Sequence, residues 1–533
     1  MVPVREPARW KWLVAGLAVL GTLSRLLPLL DLKGRLLQQF PTEDGYLMMT
    51  IARNLALGNG MSTAEGWIPT NGTQPGFNFV EALCFWLVGG QRRAGVLVIE
   101  LVQCAVAMLA AWSLFALGRG ILRERSWGTR AAALAAAIWY ASANVVPHTM
   151  NCLETGAYVL MILTSVGRWH ALWEKAQQLD EALLARAAGV GAVLGATFWI
   201  RIDAIFLIGA LTALHVTWAW PQGRRRRLAR LGESLVAGCV SLAIAMPWLL
   251  YNRIRFGHFT PISGLAESGG SGWFHNTALL PAALFRYVTL VGPIPHEMST
   301  RTPVILVCSA IILAWGYLVL LAVRGARSRE RWLLAVTAVL LAALSGYYGM
   351  AFGAGHFLDR YLFPASPFIA LIGVSLLVAT AEARPAARLG HRWLSAMGAV
   401  LLAATVGLNL RAYRQGDQHM HFQVVAWAER HVPSQTWVAA VQTGTLGFFH
   451  DRTVNLDGKV NPEALAMRVG TDRVPEYVVD SRWGATRQTI DYLLDWQGMA
   501  VWQTIPAIQS NFDLLVDDAK VNLAVFQRKN ALD

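Results

Sequence analysis

Apolar residues in this chain come in blocks of about twenty, and that pattern leaves few folds open. A helix of that length crosses ~30 Å of hydrocarbon at ~1.5 Å per residue. The blocks fall near 12–30, 95–118, 130–147, 150–167, 187–201, 203–220, 234–251, 303–323, 332–352, 361–381 and 393–410. They predict a mostly α, polytopic membrane protein with about eleven transmembrane helices. Composition agrees, since 55% of the chain is hydrophobic and only 15% charged, against roughly 25% charged in soluble domains. Many of the 22 tryptophans stand near block ends, where interfacial anchors are expected.

The net charge of +13 is distributed in short loops between the blocks rather than on one soluble face, which argues against a nucleic-acid partner. Arg119 to Arg130, Arg168 to Arg186, Arg224 to Arg230, Arg324 to Arg331 and Arg384 to Arg392 fall in alternate loops. The positive-inside rule then puts the N-terminus in the cytoplasm and residues 411–533 on the outer side of the cytoplasmic membrane. The basic N-terminal stretch lacks a cleavage site and reads as the first span rather than a signal peptide. The five cysteines lie in or beside apolar blocks, with no disulfide framework or zinc spacing.

This predicts a transmembrane catalytic domain over 1–410 and a soluble α/β domain over 411–533. Two outer loops are long. Residues 31–94 include an apolar segment, 77–89, expected as a helix lying at the interface, and 252–302 read as a mobile loop. In the tail, helices are expected near 419–431 and 487–497, with strands at 436–442, 453–457 and 522–526.

Charges near the outer block ends carry the candidate chemistry. Glu43 and Asp44 follow the first span, where scarce water tunes a carboxylate's basicity, and either could take a proton from an attacking hydroxyl. The alternative is that Asp44 caps a helix beginning at Gly45. Glu154 opens the fourth span, either as a site acid facing Asp44 or as a cap of its own helix. Converging Asp44 and Glu154 could hold a divalent metal, and no other cofactor is implied. Arg201 and Asp203 interrupt WIRIDA, as a structural ion pair or as a contact to lipid phosphate. His356, Asp359, Arg360 and Tyr361 lie in GHFLDRYLFPASP, where Arg360 is a candidate phosphate clamp. Asn71-Gly-Thr73 matches a glycosylation sequon and precedes Gln74, while His148 reads as structural.

Taken together, TEDGY…IARNLALGNG, TNGTQPGF, CLETG, IRIDA and DRYLFPASP resemble, in order and position, the bacterial GT-C superfamily of membrane glycosyltransferases, which includes mannosyl- and aminoarabinose transferases. The tail segment TGTLGFFHDRTVNLDGKVN is similar to one in the external tails of some members. The resemblance implies a polyprenyl-phosphate-linked sugar donor, a glycan, lipid or protein acceptor, and an inverting transfer at the outer face of the membrane. It implies a catalytic base matched by Asp44, with Glu43 beside it, although several members carry the two acids in the reverse order. A second acid in the next outer turn is matched by Glu154, and a juxtamembrane Arg-Tyr by Arg360 and Tyr361; Arg201, Asp203, His356, Asn71 and Gln74 join these as candidate substrate-binding residues. The competing classes are a transporter, which would need charges at mid-span, and a non-catalytic lipid- or glycan-binding protein of the same fold.

Overall fold

The computed structural model describes residues 9–32, 34–268, 273–289, 296–352, 354–382, 388–415, 421–469, 472–480 and 488–529. A helix occupies each of the eleven places expected from the apolar blocks. Seven helical segments among the described residues are long and apolar enough to cross a membrane: Trp10–Leu30, Arg92–Ile121, Ala204–Gln222, Arg224–Phe256, Thr302–Val323, Ser328–Ala351 and Gly355–Glu382. The chain is a multi-pass membrane protein.

The spans pack around a core centred on Trp139, Trp169, Trp332 and Phe368, all fully buried. These three tryptophans are core residues rather than interfacial anchors, whereas Trp12, Trp86 and Trp112 do face outward. Leu184–Ile200 lies against Arg224–Phe256 through small residues. A Cβ on Gly191 would stand 2.4 Å from the carbonyl oxygen of Ala237, and one on Gly195 would stand 2.7 Å from the Ile244 side chain. This four-residue spacing of glycines lets two backbones approach closely. At the other extreme, Thr302–Val323 buries almost none of its surface in the protein.

Residues 31–94, expected from the arginine pattern to be the first outer loop, hold helices Glu43–Ala56 and Pro75–Leu87, joined by a hairpin of β1 (Ser62–Thr63) and β2 (Ile68–Pro69). The second of these helices is the expected 77–89 segment. The 252–302 loop, read as mobile, carries the helices Ile262–Ser268 and Leu280–Thr289.

The C-terminal domain is built on a five-stranded mixed sheet of β3 (Val438–Ala440), β4 (Thr453–Asn455), β5 (Tyr492–Asp495), β6 (Phe512–Asp518) and β7 (Leu523–Arg528). Its order is β4-β3-β5-β7-β6; β3 runs parallel to β4 and β5, and β7 antiparallel to β5 and β6. The helix expected near 487–497 is corrected here: β5 lies within that stretch. Leu493 and Leu494 are both fully buried because β5 is central and covered on both faces, so the alternation that marks a half-exposed strand is missing.

The domain sits on the first outer loop. Phe448 packs against Tyr46 with ring centroids 5.1 Å apart, and Ala64 and Ile68 join the domain's own core. Asp451 pairs with Arg53 and Arg92, each at 2.8 Å, and Arg452 with Glu65 at 2.8 Å.

Candidate active site

Helix Glu43–Ala56 begins because the Thr42 side chain accepts a hydrogen bond from the Gly45 N–H. Thr42 is therefore the cap, and Asp44 is not. That start sends the two neighbouring acids in different directions. Glu43 turns to the C-terminal domain, where it accepts from the backbone N–H of Gly444, from the Thr445 N–H at 3.1 Å and from the Thr445 hydroxyl at 2.5 Å. Asp44 turns into a cavity of about 490 Å³.

The cavity floor is a chain of alternating charge. Asp44 Oδ2 accepts from Arg360 Nη1 at 2.9 Å. Arg360 Nη2 lies 3.9 Å from Glu154 Oε1, which lies 3.4 Å from Arg201 Nη1. Arg201 Nε donates to Asp203 Oδ1 at 2.8 Å, and Asp203 Oδ2 accepts from the Tyr348 hydroxyl at 2.7 Å. Glu154, Arg201 and Asp203 are buried, and lone charges there would be costly, so the pairing is what makes the site stable. Glu154 makes no side-chain cap for its own helix, Thr155–Ala176, because its carboxylate is turned toward the two arginines. The Tyr361 and Tyr348 rings stack 4.0 Å apart at 11° and fix the outer ends of their helices, and Arg201 lies over the Tyr361 ring at 5.1 Å.

Asp44, Gln74, Glu154, Arg201, Asp203, Arg360 and Tyr361 thus line one cavity. Four other candidates lie elsewhere. Glu43 holds the C-terminal domain. His356 is exposed, with its ring against Phe357, and does not line the cavity. Asn71 is fully buried, donating to Asn252 at 3.0 Å and accepting from the Ile262 N–H at 3.2 Å, so it ties the two outer loops together and offers no free amide for a sugar. Asp359 pairs with Arg286.

The positions of Asp44 and Glu154 do not suit a shared metal, because the Arg360 guanidinium reaches both carboxylates. Among the described residues, no group of three or more His, Cys, Asp or Glu side chains is arranged to hold one.

Two cavity residues were not singled out from the sequence, although one of them, Lys459, lies in the quoted tail segment TGTLGFFHDRTVNLDGKVN. Lys459 reaches in from the C-terminal domain; its Nζ lies 2.7 Å from Glu267 Oε1 and 3.9 Å from both Asp44 Oδ1 and Asp457 Oδ2. Glu267 belongs to the short helix Ile262–Ser268 of the second outer loop. Lys459 is held in place by the first outer loop: a Cβ on Gly72 would stand 2.0 Å from the Lys459 carbonyl oxygen, so only glycine permits that approach.

Burial opposes ionisation of Asp44, but Lys459 and Arg360 outweigh it and hold its pKa below the ordinary value. Burial pushes Asp457 up to about 6, with Lys459 acting against it. Burial likewise disfavours the Lys459 ammonium, but Asp44, Asp457 and Glu267 overcome this and its pKa is raised. Above this charged floor the rim is apolar and partly exposed, with Ile205, Phe206, Leu249, Phe259 and Tyr347 along it.

Residues 409–526 match the model of a domain of unknown function (DUF8728). No curated protein matches the sequence. Among solved structures, ArnT from Cupriavidus metallidurans bound to undecaprenyl phosphate is similar over 98% of this chain and 99% of its own, at 13% identity and a TM-score of 0.58. The archaeal oligosaccharyltransferase AglB from Archaeoglobus fulgidus, in complex with an inhibitory peptide and a dolichol-phosphate, is similar over 98% of this chain and 74% of its own, at 10% identity and a TM-score of 0.55. Over nearly its whole length the chain therefore shares the overall fold of these two solved structures.

Proposed function

We propose that this protein is an integral membrane glycosyltransferase. It moves a sugar from a polyprenyl-phosphate donor to a hydroxyl of a glycan, lipid or protein acceptor at the outer face of the cytoplasmic membrane. The observation that carries this reading is the Asp44 carboxylate, set in a cavity beside Arg360 and Lys459 while its neighbour Glu43 faces away. The two similar proteins were seen with undecaprenyl phosphate and dolichol-phosphate, which supports a lipid-phosphate donor.

In the reaction, the acceptor oxygen attacks C1 of the sugar and its proton passes to Asp44. The C1–O bond to phosphate breaks, and its electron pair leaves with the lipid phosphate. A phosphate leaves without a proton, so no general acid is required. Arg360 and Arg201 steady the growing negative charge. One displacement inverts the anomeric centre. The polyprenyl tail lies along the apolar rim near Ile205 and Leu249, outside the charged floor.

The test is incubation of purified protein with a panel of polyprenyl-phosphate sugars, scored by lipid-phosphate release. Wild type should turn over at least one donor. Asp44→Asn should bind it and lose about 10²–10⁴-fold in turnover, the usual contribution of a general base. Release at the wild-type rate by Asp44→Asn would remove the proposed base.

A further inference from the structure

The cavity contains more carboxylates than cations. Among the described residues lining it, the carboxylates Asp44, Glu154, Asp203 and Glu267 face the cations Arg201, Arg360 and Lys459. A donor phosphate entering this set adds a further negative charge, so it needs a carboxylate to give up its cation. Three of the four are tied to arginines: Glu154 and Asp203 to Arg201, and Asp44 to Arg360. Glu267 differs: it belongs to the short helix Ile262–Ser268, and among the described residues Lys459 is the cation its carboxylate pairs with, at 2.7 Å.

From this we infer that the Glu267 carboxylate occupies the seat of the donor's phosphate, and that the donor binds by displacing it from Lys459. The inference rests on the glycosyltransferase reading and names the phosphate seat within it. The exchange is charge-neutral, because a sugar-linked lipid phosphate is a phosphodiester with one negative charge, as is the carboxylate it replaces. Lys459 and Arg360 contact opposite oxygens of Asp44, so a phosphate bridging them lies next to the base. When the C1–O bond breaks, the phosphate gains a negative charge as Asp44 loses one by taking the acceptor's proton, and the total charge of the cluster stays constant. The C-terminal domain thereby supplies a phosphate-binding cation beside Arg360 and Arg201, and Glu267 is a positioning residue that keeps that cation ready while the site is empty.

The test measures binding of farnesyl phosphate to the full-length protein in detergent, alongside turnover. Glu267→Gln removes the competing anion without opening a cavity, so it should tighten binding about tenfold, the scale of one charge-assisted contact. Lys459→Met should weaken it about tenfold, and Lys459→Arg should recover most of the loss. In Lys459→Met, Glu267→Gln should have no further effect, because the cation it frees is gone; this double variant also avoids the unpaired Glu267 that could unfold the single one. Lys520→Met, an exposed lysine on the same domain, should bind as wild type does. Unchanged or weaker binding by Glu267→Gln, or additive effects in the double variant, overturns the inference while leaving the glycosyltransferase reading intact if wild type still transfers sugar. Absence of both binding and transfer in wild type overturns both.

Discussion

Two adjacent acids show how much a single residue's direction decides. Glu43 and Asp44 are indistinguishable by composition and by distance from the first span, yet one fastens a domain and the other faces the cavity. Glu43→Gln should therefore loosen rather than silence the protein. Its three accepted hydrogen bonds lose the negative charge, weakening the clamp by about 2 kcal/mol, and amide exchange in Gly444–Phe449 should rise while turnover falls less than about tenfold. If Glu43→Gln is instead as inactive as Asp44→Asn and its exchange is unchanged, Glu43 is the base. Glu154, Arg201, Asp203 and Arg360 were legible in the sequence because charge in an apolar neighbourhood is costly and must have a partner. Lys459 and Glu267 were not, because each lies in a polar segment where a lone lysine or glutamate is ordinary, and only the fold brings them to Asp44.

Among the elements, the helix pair Leu184–Ile200 and Arg224–Phe256 matters most to the site, because Arg201 is the residue that ends the first of them. Gly191→Ala forces a Cβ against the Ala237 carbonyl and should destabilise the protein by about 1–3 kcal/mol, the usual cost of overpacking. Thermal unfolding in detergent measures this, and Gly209→Ala, whose Cβ meets nothing within 4 Å, is the matched control expected to stay near wild type. If the two unfold alike, close packing at Gly191 is not what holds Arg201. Helix positions were readable because twenty apolar residues in a row have one common solution in a bilayer. β5 was not, since Ile490, Leu493 and Leu494 fall at helical spacing although a strand covered on both faces needs no alternation.

At the scale of the whole molecule, four separate pieces close one cavity: the 31–94 loop, the 252–302 loop, the helix ends that carry Glu154, Arg201 and Arg360, and the C-terminal domain. That requires the domain to lie on the same side of the membrane as Asp44. A reporter that works only in the cytoplasm should be silent when fused after residue 410, and one that works only outside should be active; the reverse result would overturn the arginine-based orientation.

The contact between Lys459 and Asp44 also orders events in time. Ribosomes add ~5–20 residues per second, so the lysine is made tens of seconds after the aspartate it faces. Throughout that interval the helices are threaded with one wall of the cavity still unsynthesised. Until then a nascent chain carries the Asp44 carboxylate without Lys459, so the proposed phosphate seat between Lys459 and Arg360 forms only when the C-terminal domain is made.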